Sequence, residues 1–184
     1  MADQRNVSAL SGFRVHAQGT QRMKIDERLV DFIESTASKA VLILSGIPGS
    51  GKSTLARGLE ERYGIEYASV DAYFKPDYSD FAPERLPEAH QWCLMSYLSA
   101  LQDPKAGRII VVDNTNTTAV EIAPYYALAE ALGATPLIVR VDCDPAVAFA
   151  RQTHGVPLRA HEAMWERWSD TSAYAPWWKV LVVS

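Results

Sequence analysis

Apolar residues recur along the chain in two alternating patterns. Short, largely apolar runs (Val41-Leu42-Ile43-Leu44, Ile65 to Val70, Arg108 to Asp113, Pro136 to Val141, Trp177 to Val183) read as strands, the first of them buried. Between them the apolar positions fall at helical spacing. Ile25, Leu29, Phe32 and Ile33 predict an amphipathic helix, and a second helix runs from Ser53 to Tyr63 and stops at Gly64. Further helices are predicted over Arg85–Leu101, with Pro87 in the first turn, and over Val120–Leu132, closed by Gly133. Asp142-Cys143-Asp144-Pro145 caps a helix to about Thr153, and after the break His154-Gly155-Val156-Pro157 another spans Leu158–Trp168. Strands alternating with helices predict an α/β three-layer fold with a mainly parallel five-stranded sheet and a small helical lid at about 151–170. Residues 1–23 are polar and aperiodic; with the first helix they form an N-terminal arm, 1–38, ahead of one domain over 39–184.

Composition narrows this picture without changing it. The chain has 184 residues, 48% hydrophobic and 22% charged, as in ordinary globular domains that bury a full core. A formal charge of −4 advertises no global affinity for nucleic acid, so any such contact needs a local basic patch. Cys93 and Cys143 sit in apolar runs without metal-ligand spacing and read as reduced thiols of a cytoplasmic protein. No apolar stretch approaches the ~18–20 residues that cross a bilayer, and the polar N-terminus lacks a signal-peptide core.

Candidate chemistry centres on Gly46-Ile47-Pro48-Gly49-Ser50-Gly51-Lys52-Ser53, followed by Thr54. The stretch fits G-x-x-x-x-G-K-[ST] and stands between a buried strand and a helix, the context a phosphate-binding loop requires. Its glycines let successive N–H groups face one anion at the positive end of the new helix. Lys52 would reach the β- and γ-phosphates of a nucleoside triphosphate, and the Ser53 hydroxyl would ligate Mg²⁺. Asp71 follows the second strand, where open α/β sheets place ligands. It is the best candidate general base for an attacking hydroxyl, with a turn cap as its plain alternative. Asp113 ends an apolar run in the Walker-B pattern, fit to hold the Mg²⁺ shell or orient an acceptor. The aromatic segment 72–84 is a substrate-facing loop or a packed one. Arg151 and Arg159 flank the 154–157 hinge and could close over phosphates, and Trp165, Trp168, Trp177 and Trp178 read first as packing.

These stretches, with Val70-Asp71-Ala72-Tyr73-Phe74, Ala89-His90-Gln91-Trp92, Val112-Asp113-Asn114-Thr115-Asn116-Thr117 and Ala150-Arg151 through Val156-Pro157, resemble in order the polynucleotide-kinase-like branch of P-loop kinases. That branch includes many small AAA-type ATP-binding proteins, and the resemblance covers roughly residues 40–168. It implies transfer of a phosphoryl group from ATP to a hydroxyl. Asp71 matches the family's general base, Asp113 and Asn114 its acceptor-side pair, and Arg151 a lid arginine on the ATP phosphates. Asp71, Tyr73, Phe74, Asp113, Asn114 and Asn116 would then contact the acceptor. Where the bacteriophage polynucleotide kinase has an arginine gripping the acceptor phosphate, this chain has Phe74, and the motif's second acid is Ala72. Related phage kinases act on 5-hydroxymethyluracil within DNA, and a loop bearing Tyr73, Phe74, Tyr78 and Phe81 suits a flipped base. The expected partners are thus a nucleoside triphosphate and a nucleic-acid or nucleotide acceptor, with the oligomeric state open. A small-metabolite kinase and a nucleotide-gated binding module or ATPase are the competing readings.

Overall fold

A computed structural model describes residues 25–76, 79–153 and 155–184. The arm over 1–23, Tyr78 and His154 lie outside the described residues.

Five strands make one sheet: β1 (Ala40–Ser45), β2 (Glu66–Ala68), β3 (Ile109–Asp113), β4 (Thr135–Val141) and β5 (Val180–Val183), in the order β2-β3-β1-β4-β5. Every pairing is parallel, with Leu44 opposite Asp113 on one side of β1 and Ser45 opposite Arg140 on the other. A parallel sheet must be covered on both faces, which is why β1 is buried throughout and carries no polar residue before Ser45.

Alternation along β1 divides the core into two layers. Val41 and Ile43 face α3 (Leu86–Gln102) and α4 (Ala119–Ala131), meeting Ala89, Tyr97, Ile122 and Tyr126. Leu42 and Leu44 face α1 (Glu27–Ser35) and α2 (Lys52–Tyr63), meeting Leu29, Ile33, Leu55 and Leu59. The two remaining helices, α5 (Pro145–Arg151) and α6 (Leu158–Ser169), pack through Ala148 and Trp168 on Ile47 at the carboxyl end of the sheet. Helix starts are set by local chemistry. Asp26 caps α1, Asp144 caps α5, and Thr118 with Glu121 forms a capping box on α4.

Three element boundaries differ from the sequence expectation. The second strand covers only Glu66–Ala68, because Asn114 Oδ1 takes the Val70 N–H and the chain turns into a 3-10 turn over Asp71–Tyr73. The last strand starts at Val180 rather than Trp177. Trp178 closes a turn onto Ala175 and stacks on Tyr126, while Trp177 is 69% exposed, contrary to a packing role. The helix expected to run to about Thr153 ends at Arg151.

Candidate active site

The loop between β1 and α2 is shaped by two glycines in the left-handed region, Gly49 at φ 83° and Gly51 at φ 109°. The Gly46 N–H donates to the Thr115 carbonyl at 2.9 Å, tying the loop to the segment after β3. Lys52 opens α2 and is 8% exposed; its Nζ donates to the Ile47 carbonyl at 3.0 Å. Burial pushes its ammonium below the usual lysine range, and the carboxylates of Asp113 and Asp71 oppose that shift. Ser53 and Thr54 are exposed beside it. Ser50 Oγ is buried without a hydrogen-bond partner among the described residues, leaving its hydroxyl as a donor for an anion in the loop.

Asp71 stands exposed at the start of its 3-10 turn, its N–H held by Ser69 Oγ at 3.2 Å. Asp113 is buried at the end of β3. Tyr67 reaches across from the edge strand and donates its hydroxyl to Asp113 Oδ2 at 2.6 Å, and Ser69 Oγ donates to the Asp113 carbonyl. Burial, then the Asp113 charge, drives the Tyr67 phenol far above its ordinary range, so it stays a neutral donor. Sequence reading missed Tyr67, since an alternating strand residue carries no signal of what its ring tip reaches.

Two residues expected at the acceptor are buried within the fold. Phe74 is 5% exposed, inside the core with its ring edge-on to Tyr73 and Phe81, so it offers no face to a ligand. Asn116 is buried at φ 42°; its Nδ2 donates to the Leu44 carbonyl at 2.7 Å and its own carbonyl accepts from Ser45 Oγ. These bonds tie the segment after β3 to the end of β1. Asn114 is likewise engaged, by the Val70 N–H and by contacts of its Nδ2 with Tyr125 Oη and Cys93 Sγ, and it fixes the approach to Asp71. Tyr73 is half-buried, and Arg85 lies across its ring at 4.8 Å while donating to its hydroxyl at 2.9 Å.

Arg151, exposed at the end of α5, shares a cavity of about 610 Å³ with Ser50, Gly51 and Thr54. The cavity extends from the loop to Asp26 and Arg28 of the N-terminal segment and to Val183. Pro48 is buried under α6 and does not border it.

Gly49 is the tightest point. A methyl at this position would lie 2.0 Å from the Ala148 carbonyl oxygen, at a φ that L-residues avoid. The left-handed cost and the overlap together predict that Gly49→Ala lowers stability by about 2–4 kcal/mol, read as a urea midpoint shift, and abolishes anion binding.

The family model described as an AAA domain, AAA_33, matches residues 41–171. Human NEDD4-binding protein 2 is 33% identical over 118 residues, 61% of this chain and 7% of that protein. The 2',3'-cyclic-nucleotide 3'-phosphodiesterase of Rattus norvegicus is 36% identical over 98 residues, 50% of this chain and 21% of that protein. The chain thus spans a minor part of the length of the curated relatives it matches. A gluconokinase from Sinorhizobium meliloti 1021 superposes with a TM-score of 0.53 at 16% identity, covering 79% of this chain and 83% of that one. Kti12 of Chaetomium thermophilum, solved with ADP-AlF3, superposes with a TM-score of 0.54 at 19% identity, covering 78% and 88%. At those identities the likeness shows the fold, which is the P-loop kinase-like one. The match over 41–171 settles membership: this chain belongs to the AAA_33 family of AAA domains.

Proposed function

We propose that this protein is an ATP-dependent phosphotransferase that moves the γ-phosphate to a hydroxyl of a nucleotide or nucleic acid. One observation carries the reading: Asp113 ends β3 opposite Leu44, at the mouth of the loop, and the Ser69 hydroxyl that holds its carbonyl also holds the backbone of the exposed Asp71, so two carboxylates are fixed at the same end of the sheet as the loop.

In this reading the loop amides, Ser50 and Lys52 cradle the β- and γ-phosphates, and Arg151 faces them across the shared cavity. Asp71 takes the proton of the acceptor hydroxyl as its oxygen bonds to the γ-phosphorus. The bond from that phosphorus to the bridging oxygen breaks, and ADP leaves with the electron pair. Ser53 and Asp113 fit the metal's protein ligands, one hydroxyl and one carboxylate beside phosphates, as Mg²⁺ prefers. When bound, the ion would neutralise charge on the transferring group.

Tyr67 holds one Asp113 oxygen and so sets which way the carboxylate presents the other. Tyr67→Phe removes that bond with little change of shape. It is expected to lower kcat by about tenfold with nucleotide affinity retained, read in steady-state kinetics and ADP titration.

The acceptor side offers Tyr73, with Arg85 across it, at the turn that Asp71 begins. Arg85 is already paired with Asp80 at 3.5 Å, so its charge does not by itself select an anionic acceptor. With Phe74 in the core, a flipped hydroxymethyluracil would have to stack on Tyr73 or on the rim residue Phe81, so this acceptor stands behind a 5′-hydroxyl end or a nucleotide. The acidic overall charge favours a second reading, a small-metabolite kinase. Transfer of labelled γ-phosphate to 5′-hydroxyl oligonucleotides, hydroxymethyluracil DNA, nucleosides and small alcohols separates them. A labelled polyanionic product whose formation weakens steeply with salt supports the first reading. Label on a small alcohol alone supports the second, and phosphate release without any labelled acceptor rejects both.

A further inference from the structure

Where a loop N–H faces phosphate, the carbonyl of the same peptide faces the other way, and at Pro48 that carbonyl lies under α6. A carbonyl buried there needs a donor. His161 supplies one: it is 1% exposed on the inner face of α6, its ring edge-on to Phe149, and its Nε2 lies 3.0 Å from the Pro48 carbonyl oxygen. The carbonyl can only accept, so Nε2 carries the proton in this contact.

Pro48 and Gly49 share one trans peptide plane, and in such a plane the C=O and N–H point in opposite directions. Anchoring the Pro48 oxygen under α6 therefore turns the Gly49 N–H away from α6. Around this bond the docking is firm. Trp168 Nε1 donates to Ser45 Oγ at 3.0 Å, and Arg140 stacks over Trp168 while donating to its carbonyl.

We propose that His161 is a positioning residue for the phosphate cradle: by holding the Pro48–Gly49 peptide in one orientation, it couples the docking of α6 to affinity for the β-phosphate of a nucleotide. The proposal rests on the nucleotide-binding reading above and adds a residue outside the loop motif. If the bond is lost, the peptide can flip and present its carbonyl to the anion, which weakens binding without touching the acceptor side.

The test compares wild type, His161→Leu and His161→Gln by calorimetric titration with ADP and with inorganic tripolyphosphate, alongside urea unfolding. His161→Leu is expected to weaken both ligands by about tenfold, while His161→Gln, which keeps a donor, stays within about threefold of wild type. In turnover, KM for ATP rises and kcat at saturation stays within about twofold. A leucine variant that is less stable but binds both ligands as wild type does overturns the proposal, since packing alone would produce that result. Wild-type protein that binds neither ligand overturns the nucleotide reading and this proposal with it. Independently of whether the variants fold, ¹⁵N-histidine spectra of the wild type should show His161 protonated at Nε2; an unprotonated Nε2 overturns it.

Discussion

Asp71→Asn is expected to lower phosphoryl transfer by about 10²–10⁴-fold while ADP affinity stays within about threefold of wild type. The substitution keeps the shape of the side chain and the turn around it, because the bond that fixes this position runs from its backbone N–H to Ser69 Oγ. In the proposed mechanism the substitution removes the proton acceptor, together with one of the negative charges that oppose the lowering of the Lys52 pKa. Asp113 remains to hold the lysine charge, so the nucleotide site survives. Kinetics with a confirmed acceptor, paired with ADP titration, reads both quantities. Equal loss of binding and transfer would place Asp71 in the nucleotide site rather than beside the acceptor.

Lys52→Met should cost as much in transfer, about 10²–10³-fold or more, through a different route. Methionine fills nearly the same volume but carries no charge to the phosphates. Stability is expected to move little, within about 1 kcal/mol, or to rise. Burying an ammonium is unfavourable in itself, and the Ile47 carbonyl keeps the Ser50 N–H as a donor when Lys52 Nζ is gone. A large loss of activity with an unchanged or higher unfolding midpoint separates a functional lysine from a structural one. The two effects have opposite signs only where the group is held against its own desolvation for the sake of a ligand.

The fold was legible because the central strands β1, β3 and β4 are short, largely apolar runs and helices such as α1 carry an apolar stripe at helical spacing, patterns that survive any detail of packing. The phosphate-binding loop was legible for a related reason: Gly49 and Gly51 need positive φ, and the motif encodes that need at fixed spacing. The acceptor side was read less well. Phe74 and Asn116 sit beside functional positions in sequence, but Phe74 turns into the core and Asn116 spends its amide on the Leu44 carbonyl. Adjacency along the chain does not say which way a side chain faces once a strand gives way to a turn. Tyr67 and His161 were invisible for the converse reason. Their partners, Asp113 and Pro48, are distant in sequence and meet them only through the sheet order and the docking of α6. The cavity walled by Ser50, Arg151, Arg28 and Val183 joins segments from both ends of the chain, and no local pattern announces it.

The most direct measurement follows γ-labelled ATP to its products in the presence and absence of acceptor, counting ADP against labelled acceptor. The account predicts that ADP forms faster when acceptor is present and that each ADP is matched by about one phosphorylated acceptor, as transfer to a hydroxyl requires. ADP formed at one rate in both cases, with all label in inorganic phosphate, would contradict it and leave a nucleotide hydrolase.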